Sequence, residues 1–221
     1  MEGRDRPILV AIDGPAGSGK STLAERLATQ LGLPYVNTGL MYRAVTLRAL
    51  RERVDVDDGI ALTTLARRIA FDLDPDSSPP QLLIDGRPPE PDLTSAEVEG
   101  AVSRVARHPA LRALLCEEQR RLGTDGAVME GRDIGSVVFP DATLRVLLLA
   151  RHGARATRRA RERESATLPD IERAIAQRDE LDAANVPAPE PDLEVDTTDL
   201  DADAVFEIVL DAVRERLGEA P

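Results

Sequence analysis

"ILVAIDGPAGSGKSTLAERLATQLG", residues 8–32, runs from a short apolar segment through a glycine-rich turn into a helical repeat. Residues 8–12 are apolar and largely β-branched, and they stop at Asp13-Gly14, the pattern of a strand buried on both faces. Leu23, Leu27 and Leu31 then recur at helical spacing with Ala24 and Ala28 beside them. Gly32, followed shortly by Pro34, reads as the end of that helix. Between strand and helix, Gly14-Pro15-Ala16-Gly17-Ser18-Gly19-Lys20-Ser21 fits G-x-x-x-x-G-K-[ST], the phosphate-cradling P-loop. Its glycines let successive N–H groups turn inward toward phosphate oxygens, and the helix start adds partial positive charge. The pattern assigns Gly14 through Ser21, with Thr22 beside it, to a nucleoside triphosphate, with Lys20 on the β- and γ-phosphates and the Ser21 hydroxyl on Mg²⁺.

Lys20 is the one lysine among 28 basic residues; the other 27 are arginine. An ammonium is a compact point charge on a flexible stem and fits inside a closed backbone cradle. A flat guanidinium fork suits phosphate approached from an open side.

Outward from this stretch, 221 residues suffice for one large domain or a domain with an inserted lobe. Aromatics are 2%, so the core is built from Leu, Val, Ile and Ala. A net charge of −12 argues against a nucleic-acid polymer or an anionic membrane as partner. The single cysteine, Cys116, forms no internal disulfide and fits a reducing compartment. No leader segment or membrane-length apolar run is visible, so a soluble, cytoplasmic protein is expected.

Along the chain, 34–37 reads as a second strand and 40–53 and 59–70 as helices. Residues 71–93 are turn-rich and read as a small hairpin-bearing insertion. Helices over 95–107 and 109–122 follow, split at His108-Pro109. Residues 127–131 and 143–150 return to buried-strand character. Beyond them come a basic helix (153–164), a helix (170–184), a last strand (193–198) and an amphipathic helix (202–217). Strands alternating with helices imply an α/β fold with a parallel sheet flanked by helices on both faces.

Three segments together carry a resemblance: "IDGPAGSGKST" (12–22), "YVNTGLMYRAVT" (35–46) and "EGRDIGSVVFPDA" (130–142). In them the chain resembles bacterial cytidylate kinase, from residue 8 to the "VDTT" strand. The P-loop is common to many families; "TGLMYR" with "GRDIGSVVFPDA" is far more specific. The resemblance implies phosphoryl transfer from ATP to CMP or dCMP in a P-loop fold with three parts. These are a core (1–37 and 125–221), an NMP-binding lobe (38–124) with the insertion near 71–93, and a short helical lid (roughly 151–168).

The resemblance also implies roles. Arg43 and Arg132 bind the acceptor phosphate, Arg132 acting catalytically with Lys20. Asp133 meets the cytosine amine, with Arg112 and Ser103 completing the base site. Thr38, Tyr42, Arg178 and Asp182 lie around sugar and phosphate. Of the lid arginines Arg155, Arg158 and Arg159, Arg158 is the nucleotide-contacting and catalytic position. The chemistry agrees: a dianionic monophosphate is already a nucleophile, so catalysis is positioning and charge neutralisation by converging cations. Cytosine offers an exocyclic amine that a carboxylate reads, and uracil reverses that donor.

Two positions depart from the pattern. Asn185 stands where the family usually has arginine, and Pro189-Glu190 where Pro-Leu is common. Two alternatives stay open at this level: a P-loop kinase of another small acceptor, and a slow ATP-hydrolysing switch. "TGLMYR" with "GRD" speaks against the first; no water-positioning residue or partner-facing switch loop marks the second. A monomer is expected.

Overall fold

The computed structural model describes residues 7–161, 167–185 and 190–218, the side chains of 182–185 excepted. Five parallel strands form the central sheet: β1 (Leu9–Asp13), β2 (Tyr35–Asn37), β5 (Ala127–Gly131), β6 (Leu144–Leu149) and β7 (Leu193–Asp196), in the order β2-β5-β1-β6-β7. All five β1 residues are buried, as an apolar strand at the sheet centre must be. Its side chains alternate between two cores. Leu9 and Ala11 join one with Met129 and Val36, whereas Val10 and Ile12 join the other with Val128 and Val146.

Helices cover both faces. On one side α1 (Lys20–Leu31) buries Leu23, Ala24, Leu27 and Ala28, and α8 (Ala202–Leu217) buries Val205, Phe206, Val209, Leu210 and Val213. Arg26 of α1 lies 4.3 Å over the Phe206 ring, a cation–π contact tying the two helices. Between β2 and β5 the chain forms α2 (Thr38–Glu52), α3 (Gly59–Ala66), α4 (Ala96–Ala106) and α5 (Pro109–Leu122). An antiparallel hairpin, β3 (Phe71–Leu73) with β4 (Leu82–Ile84), sits among them. After β6 come α6 (His152–Arg161) and α7 (Leu168–Asn185). Among the described residues no helix is long and apolar enough to cross a membrane.

Local chemistry moved several boundaries. Helix α2 starts at Thr38, because the Thr38 hydroxyl donates to the Glu130 carbonyl at 2.8 Å and docks the first turn on β5. Helix α3 stops at Ala66 rather than 70: Arg68 and Ile69 bond three residues back, tightening the chain into β3. Strand β6 is buried on alternate residues only, its second face being partly covered. One element left no pattern in the sequence. Ile134–Val138 form a π-helical turn, with Val138 and Phe139 bonding five residues back. Asp13 anchors it, its two carboxylate oxygens accepting from the N–H groups of Ile134 and Gly135, each at 2.8 Å.

Candidate active site

The carboxyl ends of β1, β2 and β5 open into one cleft of about 500 Å³, where open α/β sheets bind ligands. On its β1 side lies the glycine cradle. Gly14 has φ +149°, and a Cβ there would stand 2.3 Å from the Leu148 carbonyl oxygen, so no side chain fits. Gly19, at φ +95°, lines the cleft, and a Cβ on it would meet nothing within 4 Å. The cradle thus leaves space on its cleft side, as a phosphate requires. Lys20 closes the loop by donating from Nζ to the Pro15 carbonyl at 2.8 Å. The Ser18 hydroxyl is buried and has no hydrogen-bond partner among the described residues.

Burial, reinforced by nearby Arg132 and offset by Glu130, lowers the Lys20 ammonium from its ordinary value to about 7. Burial likewise raises the Asp13 carboxyl to about 6, against the two N–H bonds that favour its charge.

The β5 end supplies the next wall. Glu130 is buried and accepts from the Tyr35 hydroxyl at 2.6 Å; Asn37 donates to that hydroxyl at 3.3 Å. Burial and the adjacent Glu130 carboxylate push the Tyr35 phenol well above its ordinary value, so it stays a neutral donor. Arg132 donates from Nη1 to the Gly14 carbonyl at 2.6 Å and so ties the "EGRD" strand end to the cradle.

The helices bring the remaining groups. Arg43 of α2 donates from Nη1 to the Leu93 carbonyl at 2.9 Å and from Nη2 to Glu99 of α4. Arg112 of α5 forms an ion pair with Asp133. Tyr42 and Ser103 line the cleft near them, and burial raises the Tyr42 phenol strongly.

The cleft therefore gathers Ala16, Gly17, Gly19, Lys20, Ser21 and Thr22 on the cradle side. Thr38, Tyr42, Arg43, Ser103, Arg112, Arg132, Asp133 and Arg178 face it from the other side. Gly14, Pro15 and Ser18 lie behind, as backbone of the cradle.

Three arginines of α6 part company. Arg155 is buried, pairs with Asp179 at 3.1 and 2.6 Å and donates to the Ala16 carbonyl at 3.3 Å. Arg158 donates to the Thr197 hydroxyl at 2.9 Å and to the Thr197 carbonyl, at the end of β7, and is not among the cleft-lining residues. Arg159 does line the cleft, 3.5 Å from Glu99. Asp182, Asn185 and Pro189 fall outside the described side chains.

Sequence reasoning passed over Asp13, Glu130, Glu99 and Thr197. The first two had a signal: each is a lone carboxylate closing an apolar run, at a strand end beside the site. Glu99 and Thr197 had none, for their roles arise only where distant segments meet. No group of three or more His, Cys, Asp or Glu suited to a metal occurs among the described residues. Mg²⁺ does not need one, since it keeps water and phosphate oxygens and takes one or two protein oxygens. Ser21 and Glu130, both on the lining, are donors of that kind.

The family model for cytidylate kinase matches residues 10–215. The chain is 41% identical over 222 residues to the cytidylate kinase of Geobacillus kaustophilus, covering 96% of this chain and 99% of that one. It is 40% identical over 227 residues to a bifunctional pantoate ligase/cytidylate kinase of Synechococcus, covering 97% of this chain and 47% of that one. The chain thus spans about half the length of such bifunctional relatives. Among solved structures, an uncharacterized protein from Eubacterium ventriosum aligns with a TM-score of 0.52 at 11% identity. The alignment covers 93% of this chain and 98% of that one, a likeness of fold alone.

Proposed function

The chain belongs to the cytidylate kinase family, and on that premise we propose that it transfers the γ-phosphoryl group of ATP in line to CMP or dCMP. One observation carries the reading: a single cleft holds both the glycine cradle with Lys20 and, facing it, Arg43, Arg112, Arg132 and Asp133. The cradle suits the ATP phosphates, with backbone N–H groups and the α1 N-terminus as donors. Lys20 and Arg132 would neutralise charge on the transferring group. Arg158 would join them from the lid after leaving Thr197; Arg159 already faces the cleft. Mg²⁺, held by Ser21 with help from Glu130, would add positive charge between the phosphates.

On the acceptor side, Arg43 and Arg132 would grip the CMP phosphate, which needs no general base. Thr38, Tyr42, Arg178 and Asp182 would surround phosphate and sugar. The Arg112–Asp133 pair has the chemistry of a cytosine reader, carboxylate to the amine and guanidinium to the acceptors, with Ser103 beside it. Residues 38–124 would act as a lobe that moves with the monophosphate and 151–168, of which 162–166 lie outside the described residues, as a lid that excludes water. The reading extends to a monomer acting in the cytoplasm on small nucleotides alone.

The test is ATP consumption with and without a panel of monophosphates. Stimulation by CMP and dCMP alone is the expected result. Acceptor-independent hydrolysis, or stimulation by a different acceptor only, overturns the proposal.

A further inference from the structure

Building on the kinase reading, we propose that Glu99 is a placeholder for the acceptor phosphate, a positioning residue whose carboxylate the incoming phosphate must displace from two arginines. The geometry is specific. One oxygen of Glu99, Oε1, takes an ion pair from Nη2 of Arg43 and lies 3.5 Å from Nη1 of Arg159. Arg43 is on α2 and Arg159 on α6, more than a hundred residues apart. All three side chains are largely buried, at 16% exposure for Glu99, 10% for Arg43 and 17% for Arg159. Screening by water is correspondingly weak.

A carboxylate and a phosphate present the same face to a guanidinium: adjacent anionic oxygens that accept from its fork. Whatever phosphate Arg43 grips must therefore compete with Glu99 for the same N–H groups. Arg43 does not lose its aim in the exchange, because its second anchor, Nη1 on the Leu93 carbonyl at 2.9 Å, is independent of Glu99. Arg159 has a different fate. Released from Glu99, its guanidinium can meet a phosphate in the cleft that it already lines.

The arrangement has a use. Cationic side chains outnumber carboxylates on the cleft lining, and two of its carboxylates are otherwise engaged, Glu130 by Tyr35 and Asp133 by Arg112. Glu99 offsets the repulsion between Arg43 and Arg159 and keeps both in phosphate-binding poses. It also makes their exchange depend on a phosphate. A nucleoside lacking one competes for neither guanidinium, so Glu99 would discriminate nucleotide from nucleoside by charge, apart from any reading of the base.

Calorimetric titration of Glu99→Gln with CMP and with cytidine tests this, with Glu99→Ala as a second variant and melting temperatures as a check on folding. The amide keeps the shape of the side chain and removes its charge. CMP should bind about tenfold more tightly to Glu99→Gln than to the wild type, since one charge-assisted competitor is gone. Cytidine affinity should not change, which a merely structural role for Glu99 would not produce. Unchanged or weaker CMP binding in both variants, or an equal shift for cytidine, overturns the proposal. Wild-type turnover of CMP is measured alongside and judges the kinase reading by itself. Should that reading fail, inorganic phosphate is the probe, and the same comparison of wild type with Glu99→Gln decides the role of Glu99.

Discussion

ATP binding should draw a proton from solution, and the size of that uptake follows from the position of Lys20. Burial and the neighbouring Arg132 lower its ammonium to about 7. Polyphosphate oxygens packed around the side chain favour the charged form and restore it toward the ordinary lysine range near 10.5. At pH 8 a group with that lowered value is about one-tenth protonated, so binding should take up about 0.9 proton. At pH 6 the same group is already charged, and the uptake falls to about 0.1 proton. The sign is fixed by the direction of the shift: ATP affinity is fully present below pH 7 and declines as pH rises through it, with log K falling by up to one per pH unit. Isothermal titration calorimetry in two buffers of different ionisation enthalpy reads the proton number directly. Lys20→Met is the control, because its thioether keeps the length of the stem and carries no titrating proton; it is titrated at concentrations high enough to offset its weaker ATP binding. Protons belonging to the nucleotide cancel in the difference between the two proteins. An equal uptake in wild type and Lys20→Met at pH 8, or a release, would refute the argument.

Asp133→Ala should remove the preference for CMP over UMP, lowering the ratio of their kcat/KM values by about tenfold or more; steady-state kinetics with both acceptors measure it. Gly14→Ala forces a Cβ against the Leu148 carbonyl at 2.3 Å, so β1 and β6 must shift apart; a loss of ATP binding together with a lower Tm is expected. Asp13 carries a buried carboxyl raised to about 6, so the folded state holds a proton that the unfolded chain has already lost between about pH 4 and 6. This group's contribution to stability therefore falls as pH rises, by about 2 kcal/mol between pH 4 and pH 7. Urea unfolding of Asp13→Asn at the two pH values should lack that component of the slope.

Much of the core was legible because its physics is local. An apolar, β-branched run of five residues that ends at Asp13-Gly14 has no good solution except a buried strand, and the leucine spacing of α1 leaves one face to bury. The hairpin at 71–84 announced itself through turn residues on either side of short apolar runs. The π-helical turn at 134–138 did not, because what stabilises it is Asp13, over 120 residues away in the chain. The early stop of α3 belongs to the same class, since the turn into β3 and the burial of Ile69 outweigh helical periodicity over 67–70.

The candidate site divides the same way. By itself the sequence determined the glycine cradle with its one lysine, and through the family it resembles it named arginines and an aspartate, held in two short motifs, as residue types suited to a phosphate and a cytosine. It could not say which arginine is engaged by what. Arg155, Arg158 and Arg159 are near-equivalent in composition and spacing, yet one is buried on Asp179, one is bound to Thr197 and one lines the cleft beside Glu99. Only the tertiary structure decided that. Charge pairing acts through space over a few ångströms, and the partners of these arginines come from α4, α7 and the end of β7, whose proximity no local pattern in the sequence encodes.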